Sequence, residues 1–202
     1  MFGLLGDLAA AHPEAVVVTC ILALAWCIAE YLARRSTWLQ GAPKRPSSSM
    51  DRGTYPFIAI GIVVGLLADL FGFLSGIGGY LPTLAVAVGA AVALAGLTIR
   101  GWALRTLGRF FTMPITIAED HRIVQGGPYR WIRHPAYTGG FLTMTGLAIA
   151  LGSWLGVFVT LAAGIIVYVY RIQIEEAALR SRFGSEYEEY ARRTYRLLPG
   201  LY

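Results

Sequence analysis

The amino-acid sequence predicts an all-α integral membrane protein. It has about five transmembrane helices, arranged as three spans plus a C-terminal helical hairpin, with a small helical module at the cytoplasmic surface. Three observations predict this class. Of 202 residues, 56% are hydrophobic and 14% charged, and the mean hydropathy of +0.57 is too high for a soluble domain of this length. The apolar residues fall in blocks long enough to cross about 30 Å of hydrocarbon. The 17 cations cluster in three segments between and after those blocks, as Lys and Arg do when they are retained on the cytoplasmic side.

Taken in order, Ala15 to Ala33 is the first span. No basic leader precedes it and it has spanning length, so it is read as a retained helix and not as a cleaved signal peptide. Cys20 and Cys27 lie two turns apart on it, beyond disulfide reach, and are assigned to packing. Residues 36–54, with Pro43, Pro46 and Ser47-Ser48-Ser49, read as a mobile cytoplasmic linker. Tyr55 to Leu74 and Leu81 to Ile99 are the second and third spans. Asp69 has no second intramembrane carboxylate beside it, which favours a hydrogen bond within the bundle over a proton relay. The Gly76, Gly78 and Gly79 turn is not a nucleotide loop, because that fingerprint needs a βαβ unit. Small residues between Ala85 and Gly96 suit close helix contact.

The block from Thr138 to Tyr170 is too long for one helix, and Gly152-Ser153 interrupts it. A hairpin over residues 138–170 follows, with arms somewhat short for independent spans. From Arg171 to Arg193 charged and apolar residues alternate at helical spacing, with Ile172, Ala178, Leu179 and Phe183 as a buried stripe. Gly184 marks a break, and Ser185 is a candidate cap for a short helix from Glu186 to Arg193.

The cation pattern sets the amino terminus outside. Arg34 to Arg52, Arg100 to Arg133 and Arg171 to Arg196 then face the cytoplasm. The chain divides into 1–100, three spans with the linker, and 101–202, the hairpin and tail. The net charge of +5 fits anionic lipid, and no nucleic-acid-binding module is recognisable. With three His and no Cys near His121 or His134, no metal site is expected.

The segment Gly127-Pro-Tyr-Arg-Trp-Ile-Arg-His-Pro-Ala-Tyr-Thr-Gly139 stands apart, polar and aromatic between apolar blocks. Pro135 suits the first turn of a helix. Free backbone donors there, with Arg130 and Arg133, favour an anionic group. The competing reading is an interface belt, in which Tyr129, Trp131 and Tyr137 anchor the helix and the arginines meet lipid phosphate. Arg171 and Glu175 share a helix face while Glu176 points elsewhere. The hairpin returns them to the surface that carries Arg133-His134, so a site can form between the two clusters.

Leu107-Gly-Arg-Phe-Phe, His121-Arg-Ile-Val, the Gly127–Gly139 segment, Glu175-Glu176, Phe183-Gly184, Tyr187, Tyr190 and Arg196-Leu-Leu-Pro199 form an ordered set. Over about residues 100 to 202 it resembles the isoprenylcysteine carboxyl methyltransferase family. The resemblance implies a catalytic region at 101–202, with S-adenosyl-L-methionine in a cytoplasm-facing pocket closed by the tail and joined to a lipid-accessible tunnel. Carried over residue by residue, the cofactor site would comprise His121, Arg122, Ile123, Val124, Tyr129, His134, Pro135, Ala136, Tyr137 and Glu175. Arg171 would meet the acceptor. Arg133 is a second candidate for holding the acceptor carboxylate and Arg196 a third, a lipid phosphate contact being the alternative for Arg196.

The implied activity is methylation of the carboxylate of a lipophilic, isoprenylcysteine-like substrate to a methyl ester. The expected partners are that substrate and membrane lipids. Phospholipid N-methylation is the enzymatic alternative; a nicotinamide-dependent membrane reductase and a non-catalytic scaffold are the others. The size and the apparent lack of organellar targeting suggest a prokaryotic cytoplasmic membrane.

Overall fold

A computed structural model describes residues 13–41, 54–112, 115, 120–197 and 200. They form six α-helices: α1 (Pro13–Leu39), α2 (Thr54–Ser75), α3 (Leu84–Leu107), α4 (Pro135–Leu151), α5 (Trp154–Phe183) and α6 (Ser185–Arg193). Four of them, α1, α2, α3 and α5, are long and apolar enough to cross a membrane. Expected as a fifth span, α4 has 17 residues, most of them buried; at 1.5 Å per residue it is about 26 Å long. The chain is an integral membrane protein built of helices.

The spans are longer than their apolar cores. Ser36–Leu39 continue α1 and Thr54 opens α2, so the linker predicted at 36–54 is shorter than the composition suggested, and its residues 42–53 lie outside the described ones. Arg100, expected in the second cytoplasmic loop, sits inside α3. It is only 12% exposed and ion-paired with Glu30 of α1, while its Nη1 donates to Ala136 O at 2.7 Å. A paired and capped guanidinium is tolerable where a lone one is not, so the helix continues past it. The second hairpin arm is not short either, since α5 has 30 residues.

The α3–α4 seam sets the frame. A Cβ on Gly96 would lie 2.5 Å from Thr143 N, and one on Gly139 would lie 2.6 Å from Arg100 N. Farther along, Gly89 and Gly146 face each other in the same way, a Cβ on either coming within 2.6 Å of the other's carbonyl oxygen. Helices meeting at bare backbone gain dispersion contacts that lipid cannot supply, and this drives association where the hydrophobic effect does not. On the other side α2 packs along α5. There Asp69 is buried and accepts from Thr160 Oγ1 at 3.3 Å, as expected of a hydrogen bond within the bundle. Cys20 and Cys27 are unpaired and exposed on α1, so the packing assigned to them is not made.

The two ends of the bundle differ. At one, the α2–α3 and α4–α5 turns are stitched by a bridge between Tyr80 and Ser153. Gly152 adopts φ 86°, a left-handed conformation suited to glycine, and the Ser153 side chain caps α5 by accepting from Gly156 N. At the other end the close of α1, the start of α2, the close of α3, the start of α4 and the polar stretch of α5 converge, and α6 folds back onto them.

Candidate active site

At that polar end lies a cavity open to solvent, roughly 890 Å³ with the space at its mouth included. Its floor comes from the start of α4. Pro135 occupies the first helical turn, as the sequence predicted. The free backbone donors expected there are taken, however: Arg133 N donates to Tyr195 O at 2.7 Å and His134 N to Arg196 O at 3.1 Å. Tyr195 N returns a bond to Trp131 O at 2.9 Å, and Thr138 Oγ1 donates to Leu197 O at 2.8 Å. Three residues of tail are thus laced onto the helix entrance, a parallel pairing that no local pattern announces.

The side chains divide into a polar wall and an aromatic one. On the polar side Tyr137 OH donates to Glu175 Oε2 at 2.6 Å and accepts from Arg171 Nε at 3.1 Å. Arg171 is 2% exposed and also bonds Thr54 Oγ1 at the start of α2. His134 stacks on Tyr137 with ring centroids 5.7 Å apart, its Nδ1 3.8 Å from Glu175. Glu175, 29% exposed in its side chain, is the carboxylate among the cavity's lining residues.

Behind these lies Glu176, 1% exposed. It accepts from Arg133 Nε at 3.0 Å and Arg180 Nη2 at 3.1 Å, lies 3.2 Å from Arg196 Nη2, and meets His134 Nε2 at 3.4 Å. One buried carboxylate therefore binds α4, α5 and the tail together, and three cations satisfy its desolvation cost. Arg133 further donates to the carbonyls of Ala191, at 2.7 Å, and Thr194.

Phe110, Phe111 and Ile115 form the aromatic side with His121, whose ring lies 4.8 Å from that of Phe110 and 5.9 Å from that of Phe183. Burial lowers the His121 pKa below its ordinary value, with Asp120 and Glu175 opposing the shift. Tyr129 is buried, and burial raises its pKa, helped by the Glu175 charge. Its backbone carbonyl accepts from Tyr190 OH of α6 at 2.8 Å.

Every residue of the predicted stretch 121–124 lines this cavity, as do Tyr129, Arg133, His134, Ala136, Tyr137, Arg171 and Glu175. Pro135 is buried as the first residue of α4. Arg196 lies against Glu176, outside the lining. Of the alternative interface belt, Trp131 is exposed with Arg130 stacked 3.6 Å over its ring, whereas Tyr129 faces inward. Three elements escaped the sequence: the Glu176 hub, the Glu30–Arg100 pair, and the lining role of Tyr187 and Tyr190. The adjacency of two glutamates amid tail arginines was the available signal for the first; Glu30 stood 70 residues from its partner. At α6 the expected cap fails, since Gly184 holds the N-cap position with φ 52° and Ser185 is already helical.

Fold and site together define a helical membrane protein whose cavity opens at one end of the bundle and is lined on one side by its own tail helix. Residues 84–186, about half the chain, match the family described as phospholipid methyltransferase, and the chain belongs to that family. Among curated relatives, a probable protein-S-isoprenylcysteine O-methyltransferase of Oryza sativa subsp. indica is 37% identical over 117 residues, covering 55% of this chain and 60% of the relative. The protein-S-isoprenylcysteine O-methyltransferase of Tribolium castaneum is 34% identical over 105 residues, covering 51% and 37%. The chain thus spans less than two thirds of these relatives' length. A solved structure of the eukaryotic intramembrane Ras methyltransferase ICMT (isoprenylcysteine carboxyl methyltransferase) superposes with a TM-score of 0.60 at 27% identity, covering 72% of this chain and 53% of that one.

Proposed function

We propose that this protein is an S-adenosyl-L-methionine-dependent methyltransferase that esterifies the carboxylate of a lipophilic, isoprenylcysteine-like substrate. The observation that carries this reading is the meeting of residues 121–124, 129, 133, 134, 136, 137, 171 and 175 around one cavity at the polar end of the bundle. Residues 101–202 hold the chemistry and 1–100 the membrane frame, with the polar end cytoplasmic, the amino terminus outside, and the bilayer a prokaryotic cytoplasmic membrane.

The lining suits the cofactor. Phe110, Phe111 and Tyr129 offer flat apolar surface to a purine, Glu175 accepts from hydroxyl or ammonium groups, Arg133 supplies positive charge, and a ring N–H of His134 can donate to a carboxylate. Bound there, S-adenosylmethionine supplies an electrophilic methyl group on a sulfonium. Arg171 holds one oxygen of the acceptor and leaves the other free to attack. Because Arg171 also bonds Tyr137, the guanidinium is fixed in direction before the acceptor arrives. A carboxylate acceptor is already deprotonated, so no general base is required.

Calorimetric titration of the detergent-purified protein with S-adenosylmethionine tests this, with Glu175→Ala and His134→Ala as controls. Micromolar binding lost in both variants is expected; a folded wild type that does not bind overturns the reading. Product analysis on an isoprenylcysteine analogue should yield a base-labile methyl ester. The matched family's description points to phospholipid as the other acceptor, and a methylated amine stable to mild base would favour it.

A further inference from the structure

The tail helix carries a polar group that the fold leaves without an internal purpose. Tyr187, on α6, is 1% exposed and lines the cavity, yet its hydroxyl has no hydrogen-bond partner among the described residues. Its neighbour Tyr190, on the same helix and 6.1 Å away by ring centroids, does have one, the Tyr129 carbonyl. Leaving a buried hydroxyl unpaired costs free energy that a phenylalanine would avoid. A tyrosine that packs as well as phenylalanine and bonds nothing among the described residues is matched to something that enters the cavity.

The surroundings say which part of a ligand it meets. Arg180, itself bonded to Glu176, lies 5.7 Å from the centre of the Tyr187 ring, and Glu176, Arg133 and Glu175 are the other charges acting on the hydroxyl, so Tyr187 stands on the polar side of the site. Burial pushes its pKa up, and the group stays a protonated donor at any physiological pH. A donor beside Arg133 fits an anionic acceptor. We infer that Tyr187 is a ligand-binding residue whose hydroxyl donates a hydrogen bond to the carboxylate of the cofactor's amino-acid portion, so that α6 reads the cofactor as it closes. This rests on the cofactor assignment above. It makes the tail helix a sensor of an intact amino-acid group and not merely a cover.

The test compares full-length wild type, Tyr187→Phe and Tyr190→Phe in detergent by calorimetry and melting temperature. The probes are S-adenosylmethionine and methylthioadenosine, which lacks the amino-acid portion. For Tyr187→Phe the unliganded melting temperature should hold or rise, S-adenosylmethionine affinity should fall roughly ten- to hundred-fold, and methylthioadenosine affinity should not change. Tyr190→Phe should instead lower the unliganded melting temperature, because it strands a buried carbonyl. Unchanged S-adenosylmethionine affinity in Tyr187→Phe overturns the inference, as does equal weakening of both probes, which would put the hydroxyl against the nucleoside. A raised KM for the acceptor alone would assign it to the acceptor and also overturn it. If wild type binds neither probe, the cofactor reading itself fails.

Discussion

The α3–α4 seam and the contact of the tail with the start of α4 both join distant parts of this molecule, yet opposite kinds of chemistry make them. Along the seam Gly89, Gly96, Gly139 and Gly146 remove side chains so that backbones touch. At the tail contact Glu176, Arg133 and Arg196, with the Tyr195 and Arg196 carbonyls, crowd polar groups together. Within lipid, water cannot drive helices together, so shape does it; at the boundary polar atoms must be paired, so bonding does it. Shape of that kind has no half-formed state, whereas bonds can open one by one. The seam is therefore a fixed frame and the tail a removable cover.

Breaking the seam should have the largest effect. Gly146→Leu places a side chain against the Gly89 carbonyl, and no folded protein is expected from detergent extraction, since overpacking against backbone exceeds the usual cost of about 1–3 kcal/mol. Fluorescence-detected size exclusion reads this directly. Glu176→Gln comes next. It strips the charge that three arginines share, which for a buried pair costs about 3–5 kcal/mol; α6 should become open to limited proteolysis while α1 to α4 keep their hydrogen-exchange protection. Loss of protection throughout would mean that frame and cover are one cooperative unit.

Tyr137→Phe should leave both frame and cover in place but free Arg171 and Glu175 from each other's mediator. A fall in kcat of about 10- to 100-fold is expected, with a lowered melting temperature because the buried Arg171 loses one acceptor. Thr138→Val removes one lace, to the Leu197 carbonyl, and should raise proteolysis at the tail by about 1 kcal/mol of opening. The smallest effect concerns pH. Burial holds the His121 pKa below 6.5, so the unfolded chain binds the proton more readily than the folded one. Stability is then complete above about pH 6.5 and declines as pH falls below it toward the folded value. His121→Gln should flatten that part of a melting-temperature profile.

Much of this was legible along the chain. Gly152-Ser153 announced the hairpin, Pro135 the start of α4 and Gly184 the break before α6, because each is a local backbone constraint. The small residues of α3 announced a close contact but not that α4 would provide it. The cavity residues from 129 to 137 were legible as chemistry because charge and aromatic density is costly beside lipid, whereas 121–124 were marked only by the family resemblance. Other features depended on remote partners. Arg100 looked like a loop cation until Glu30 of α1 came beside it, and the α4 donors looked free until residues 195–196 bonded them.

By itself the sequence determined the membrane class, the helix blocks and the segments that bear reactive groups, since hydropathy, helix periodicity and backbone punctuation act over a few neighbouring residues. Only the tertiary structure decided how those groups are spent. It made Glu176 the buried hub, set Glu175 and Tyr137 at the cavity, and left the hydroxyl of the lining residue Tyr187 buried without a described partner. The physical reason is that pairing and burial depend on which segments meet in space, and in a bundle joined by glycine seams and a returning tail those meetings link residues far apart in the chain.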